Sequence, residues 1–195
     1  MIIVVSYTPS YKQDFKQLLQ PSLEKFEIKY DAVEIPNKGN WSYNTYYTPE
    51  LLLQMLSKHN EPVCKLNVDT IIRKFPQGLY DMAEKKDFDI AITYKPLDDI
   101  EHPECSTVMA QNTEKAKWFC ERWKKECDKN IAEGITSVKS DQDVLWEIMG
   151  EMLNKVKVIK IPIAYGQSYH FNKSEIGEPI IEEFRTSWNH DRNRV

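Results

Sequence analysis

Two oxygen-bearing side chains, Asn67 and Asp69, stand two residues apart directly after the apolar run that ends at Leu66. In an extended chain, residues i and i+2 project to the same side. The pair therefore offers an amide oxygen and a carboxylate to one point, a donor set suited to a hard divalent cation. The same residue types also suit a simple turn at a strand end, because Asn and Asp tolerate bends. A second group, Ser140-Asp141-Gln142-Asp143, opens an apolar helical pattern. Ser140 and Asp143 have the spacing of a capping box, and Asp141 places negative charge in the first turn, where the helix dipole favours it. A third group, Ser6-Tyr7-Thr8 with Tyr11, closes the first apolar run, and Trp41 sits in a polar segment rich in Asn and aromatic residues.

These side chains need a frame. The segment 2–8 reads as a short buried strand, followed by a helix that carries Phe15, Leu18 and Leu19 and is kinked or broken at Pro21. A second strand ends at Pro36, and residues 37–47 read as a loop. Thr48 as cap, Pro49 and Glu50 then mark a helix start. A third strand leads to Asn67 and Asp69, a short helix follows Pro76, and a fourth strand covers 88–94. Another strand is expected from Cys105, then a helix with Ala116, Phe119, Cys120, Trp123 and Cys127 on one stripe. The Ser140 helix and a strand over 155–162 complete the regular part, and the tail from Ala164 reads as irregular. Alternating strands and helices imply an α/β domain with a mostly parallel central sheet flanked by helices. Such sheets bind ligands at the carboxyl ends of their strands, which is where Asn67 and Asp69 fall.

Composition narrows the function. The 195 residues carry a net charge of −4, which argues against broad nucleic-acid binding, since that needs clustered Lys and Arg. No apolar run approaches the roughly 20 residues of a membrane span. Met1–Val5 is too short for a signal-peptide core and has no basic flank, so a cytoplasmic location is expected. The four cysteines, at 64, 105, 120 and 127, form no CxxC pair and read as small buried hydrophobes.

The order of these segments resembles nucleotide-sugar-dependent glycosyltransferases of the GT-A fold, near the glycogenin-like and small viral or phage enzymes. The resemblance runs over roughly residues 2–188 and implies a single glycosyltransferase-like domain, 1–195. It rests on the apolar strand before Asn67-Val68-Asp69-Thr70, the apolar pair Ile71-Ile72 and Pro76, and on the later Asp141-Gln142 helix start. Asn67 stands where that family has the first acid of its DxD motif. The resemblance implies a Mn2+ (or Mg2+) ion held by Asp69, with Asn67 and Glu183 as further ligands; Glu183 takes the place of a family histidine, and His170 and His190 are alternatives. It also implies Asp141 and Gln142 at the acceptor or reacting sugar, and Thr8, Tyr11, Trp41, Asn67 and Ser106 around the nucleotide-sugar. Arg185, Arg192 and Arg194 are further candidates for neutralising a diphosphate.

The expected activity is transfer of a sugar from a nucleotide-sugar donor, UDP-linked, to a hydroxyl of a glycan or protein, with retention of anomeric configuration. Two rivals remain. One is a degenerate, non-catalytic domain that binds nucleotide-sugar or glycan, motivated by Asn67 and by Thr107 where the family has glycine. The other is a nucleotidyltransferase, which needs a glycine-rich basic loop over a triphosphate; residues 6–13 contain no glycine and one lysine.

Overall fold

The computed structural model describes residues 1–97, 100–135, 139–168 and 177–184. Strand β1 (Ile2–Tyr7) lies inside a six-stranded sheet with β2 (Tyr30–Glu34), β3 (Val63–Leu66), β5 (Ile90–Leu97), β6 (Ile100–Ala110) and β7 (Val158–Ile161), in the order β2-β1-β3-β6-β5-β7. All neighbours are parallel except β6, which runs antiparallel to both β3 and β5. A second, three-stranded sheet of β4 (Thr70–Ile72), β8 (Gln167–Ser168) and β9 (Ile181–Glu183) has the order β4-β9-β8. The expected mostly parallel α/β sheet flanked by helices is therefore what the chain adopts.

Both faces of the large sheet are covered, which is why its strands read as continuous apolar runs rather than alternating ones. Ile2, Val4, Val63, Ile92 and Val108 face one layer. That layer is built from α4 (Thr48–His59), α6 (Glu114–Ala132) and α7 (Asp141–Met152) around fully buried Phe119 and Trp123. Ile3, Val5, Cys64, Leu66 and Met109 face the other. There Phe15, Leu19 and Leu23 pack from a helical run made of α1 (Lys12–Asp14), a π-helical turn (Phe15–Leu19) and α2 (Gln20–Lys25), joined by Leu79 of α5 (Gln77–Lys85). The helix expected to kink or break at Pro21 is not broken there: the chain stays helical through the proline, with a π-helical turn immediately before it. Ser22 follows the proline inside the helix. Its hydroxyl donates to the Leu19 carbonyl (2.8 Å) and accepts from the Ile72 amide (3.1 Å), tying this layer to the second sheet.

Several boundaries differ from the sequence reading, each for a local reason. Residues 37–47 are not all loop. Gly39 takes a positive φ of 75° and the Asn40 side chain accepts from the Tyr43 amide, so α3 (Trp41–Thr45) forms. Thr48 is the first residue of α4 rather than its cap, because α3 delivers the chain to Tyr47 already in helical conformation. The strand expected from Cys105 begins at Ile100, because it pairs with β5 along its length. The tail contributes β8 and β9, too short to leave a periodic signal. All four cysteines are free and buried, as expected. No helix among the described residues is long and apolar enough to cross a membrane.

Gly166 approaches the sheet so closely that a Cβ there would lie 2.6 Å from Ser106 Oγ and 2.9 Å from Thr93 Cγ2. Both side chains are buried within β5 and β6. Gly166→Ala is expected to lower unfolding stability by about 1–3 kcal/mol, the usual cost of overpacking, read as a lower urea midpoint with an unchanged slope. A midpoint equal to that of the wild type would show that this contact is not tight.

Candidate active site

β3 ends at Leu66, and the chain then leaves one sheet for the other. Asn67 still completes the ladder, donating its amide to the Ser106 carbonyl at 3.1 Å. Val68 and Asp69 form a turn, locked by the Thr70 hydroxyl on the Asn67 carbonyl at 2.8 Å, and Thr70 opens β4. Asn67 and Asp69 thus belong to a turn, not to the strand as expected, yet both still line one cleft. The cleft has a volume of about 290 Å³, is open to solvent, and lies at the carboxyl ends of β1 and β3.

The first turns of α4 and α7 enter the same cleft through Thr48 and Ser140–Asp143. Ser140 and Asp143 do form the capping box: Asp143 Oδ2 accepts from the Ser140 amide at 2.7 Å and from its hydroxyl at 2.8 Å. Asp141 is left for the cleft. Its backbone is clamped from two sides, the amide donating to Thr45 Oγ1 (3.1 Å) and the carbonyl accepting from the Trp123 indole (3.0 Å). Its carboxylate accepts from the Gln142 amide at 3.0 Å and from the Thr48 hydroxyl. Burial pushes the Asp141 pKa up; the positive charge of Lys65 and these two donors oppose the rise without cancelling it.

Every residue singled out from the sequence and described here lines this one cleft: Thr8, Tyr11, Trp41, Asn67, Asp69, Ser106, Asp141, Gln142 and Glu183. They do not all offer their polar atoms to it. Thr8 follows β1 directly, with its hydroxyl 2.8 Å from that of Ser10, and Tyr11 is only 9% exposed. Ser106 shares its hydroxyl with Thr93 Oγ1 (3.2 Å) and the Gly166 carbonyl (3.4 Å), so it serves the sheet rather than a ligand. Thr107, beside it, donates to the Tyr165 carbonyl at 2.5 Å. Gln142, half-buried, has no hydrogen-bond partner for its side chain among the described residues. His170, Arg185, His190, Arg192 and Arg194 lie outside the described residues.

Glu183 arrives from the far end of the chain. β9 pairs antiparallel with β4, setting Glu183 opposite Thr70, and Asn67 Nδ2 donates to Glu183 Oε1 at 2.5 Å. Two of the three residues inferred to share a metal, Asn67 and Glu183, are therefore brought together, but as a donor and its acceptor. Asn67 Oδ1 is occupied as well, accepting from the Lys65 ammonium, which also donates to the Cys105 carbonyl at 2.7 Å. The set Asn67, Asp69 and Glu183 does not fit a divalent cation in this arrangement, because the amide oxygen is engaged by a cation and its NH2 faces Glu183. No group of three or more His, Cys, Asp or Glu side chains among the described residues is arranged to hold a metal ion.

Sequence reasoning missed two lysines. Lys65 is a charge inside the buried run Val63–Leu66, in phase with Asn67; its inward position was the available signal. Lys95, on β5, lies 3.9 Å from Glu104 of β6, and only strand pairing shows that both reach the cleft.

No protein-family profile matches the chain, and no curated protein sequence matches it. Solved structures do. A glycosyltransferase involved in glycosylation of the major capsid of PBCV-1 superposes with a TM-score of 0.70 at 9% identity, covering 94% of this chain and 92% of that one. The glycosyltransferase GlyE of Streptococcus pneumoniae TIGR4 gives 0.59 at 14% identity, over 93% of this chain and 53% of its own, so the chain spans about half of GlyE. The galactosyltransferase LgtC, solved with donor and acceptor sugar analogs, gives 0.55 at 10% identity, over 95% and 87%. At such identities the likeness establishes the architecture, and the chain has the GT-A glycosyltransferase fold.

Proposed function

We propose that this chain is a glycosyltransferase that moves a sugar from a nucleotide-diphosphate donor, UDP-linked, to a hydroxyl of a glycan or protein. One observation carries the reading: in a fold shared with glycosyltransferases, the end of β1, the 67–69 turn and the first turns of α4 and α7 converge on a single cleft. Thr8, Tyr11 and Trp41 form the wall suited to the nucleoside, an aromatic and hydroxyl-bearing surface. The two helix N-termini favour the negative charge of a diphosphate. Asp141 and Gln142 supply a hydrogen-bond acceptor and an amide for sugar hydroxyls.

The bond from the anomeric carbon to phosphate oxygen breaks, and its electron pair stays with the nucleoside diphosphate. The acceptor oxygen bonds to the same carbon, and its proton passes to the departing phosphate. With the proton delivered there, attack comes from the leaving-group face and configuration is retained. The groups of the chain orient the partners and stabilise the developing charge, the terms that dominate such transfers.

Incubation with UDP-, GDP-, ADP- and CMP-linked sugars should release UDP from a UDP-sugar, faster when hydroxyl acceptors are added. Failure to release or bind any of the nucleotides would overturn the reading. Thermal stabilisation by a UDP-sugar without release would assign the cleft to a non-catalytic nucleotide-sugar-binding domain, which the uncharged Asn67 favours.

Asp141→Asn should separate two effects. Loss of a charged hydrogen-bond partner for sugar should reduce turnover about 10- to 100-fold. Stability should move the other way. A carboxyl whose folded pKa is raised stabilises the fold fully below its unfolded pKa, and that contribution fades as pH rises through the folded value. The variant carries no such penalty, so its melting temperature relative to wild type should rise from pH 4 to pH 8. A constant difference across that range would show that Asp141 is not ionised against its burial.

A further inference from the structure

Lys65 is 6% exposed, in the middle of the central sheet. It lies in phase with Val63 on the face covered by α4, α6 and α7, and its stem carries the ammonium along that face to the cleft. An ammonium has three N–H donors. Asn67 Oδ1 and the Cys105 carbonyl take two, and both acceptors are neutral. Among the described residues no carboxylate forms an ion pair with Lys65, whereas Lys95, the other lysine of the cleft, stands 3.9 Å from Glu104. Asp141 feels the Lys65 charge across the cleft without pairing with it, and a buried charge that lacks a direct ion-pair partner is costly.

Asn67 keeps it so. The orientation of its amide is set by its neighbours. Flipping it would turn NH2 toward the ammonium and oxygen toward the Glu183 carboxylate, both repulsive. A carboxylate at position 67 would neutralise Lys65; the amide holds the ammonium in place and leaves its charge intact.

We propose that Lys65 supplies the positive charge for the donor's diphosphate, so that the cleft binds nucleoside diphosphates and transfers sugar without a divalent cation, with Asn67 as the neutral residue that keeps this charge available. The inference rests on the glycosyltransferase reading of the cleft. As the anomeric carbon–oxygen bond breaks, its electron pair remains on the diphosphate oxygen, the third N–H of Lys65 donates to that diphosphate, and the acceptor's proton goes to the phosphate rather than to the lysine. A fixed charge in a low-dielectric cleft stabilises such a leaving group in the way a metal would.

The test is calorimetric titration of UDP and of inorganic pyrophosphate into the whole chain, in EDTA and in Mn2+, with release of UDP from UDP-sugars followed under the same conditions. Wild type should bind and turn over in EDTA, with little gain from Mn2+. Lys65→Met should lose about 10- to 100-fold in UDP affinity, the worth of a hydrogen bond to a charged group, and Lys65→Arg should retain part of it. Asn67→Asp, which leaves the buried lysine in place, serves if Lys65→Met fails to fold. It should weaken UDP binding in EDTA and make binding respond to Mn2+. Binding that requires Mn2+ in wild type and is unmoved by either substitution would overturn the inference while leaving the glycosyltransferase reading intact. Failure of UDP and pyrophosphate to bind in either condition would overturn both.

Discussion

The site depends on how β3 ends. The strand must finish its ladder against β6 and, within three residues, pass to a different sheet. The Asn67 amide makes the last rung on Ser106, the Thr70 hydroxyl closes the turn onto Asn67, and the Asn67 side chain reaches across to Glu183. One residue thus serves the large sheet through its backbone and links it to the small sheet through its side chain. Because backbone polar groups at such a crossing must be satisfied, the turn is held tightly, and Asp69 is held with it through the hydrogen bond of its carbonyl to the Phe184 amide at 2.8 Å.

Around this turn the charges are arranged rather than abundant. Lys65 emerges beneath Asn67, and its field reaches Asp141, the residue that Trp123 and Thr45 anchor from α6 and α3. A cation from the sheet and an anion from a helix therefore look into the same space without pairing. That arrangement suits a guest with an anionic end and a hydroxyl-rich end, because each protein charge is left for a different part of it.

Much of this was readable in the chain, for definable reasons. The buried strands and the α6 stripe of Phe119, Cys120, Trp123 and Cys127 announced themselves because burial on a fixed face imposes period and hydrophobicity. Ser140 and Asp143 were legible because a cap is a local event. The same residue types that mark a turn, Asn67 and Asp69, pointed to the cleft, although their ambiguity between turn and ligand was real: they are a turn that lines a site. What the sequence could not display was pairing across distance. Glu183 opposite Thr70, Lys95 beside Glu104, and Thr48 turned from a cap into a partner of Asp141 each depend on where another element lies. The short β8 and β9 carry too few residues for any periodic signal. Lys65 stood in plain view within an apolar run and was passed over; its meaning appears only with Asn67 and Cys105 placed around it.

The bond between Asn67 and Glu183 spans 116 residues of chain. Closing so long a loop costs conformational entropy that the contacts around it must offset. The two apolar layers on the large sheet draw mostly on residues before position 162, so the body of the domain has most of what it needs before β9 docks. Glu183 on β9 then closes one side of a cleft whose other sides that body already builds.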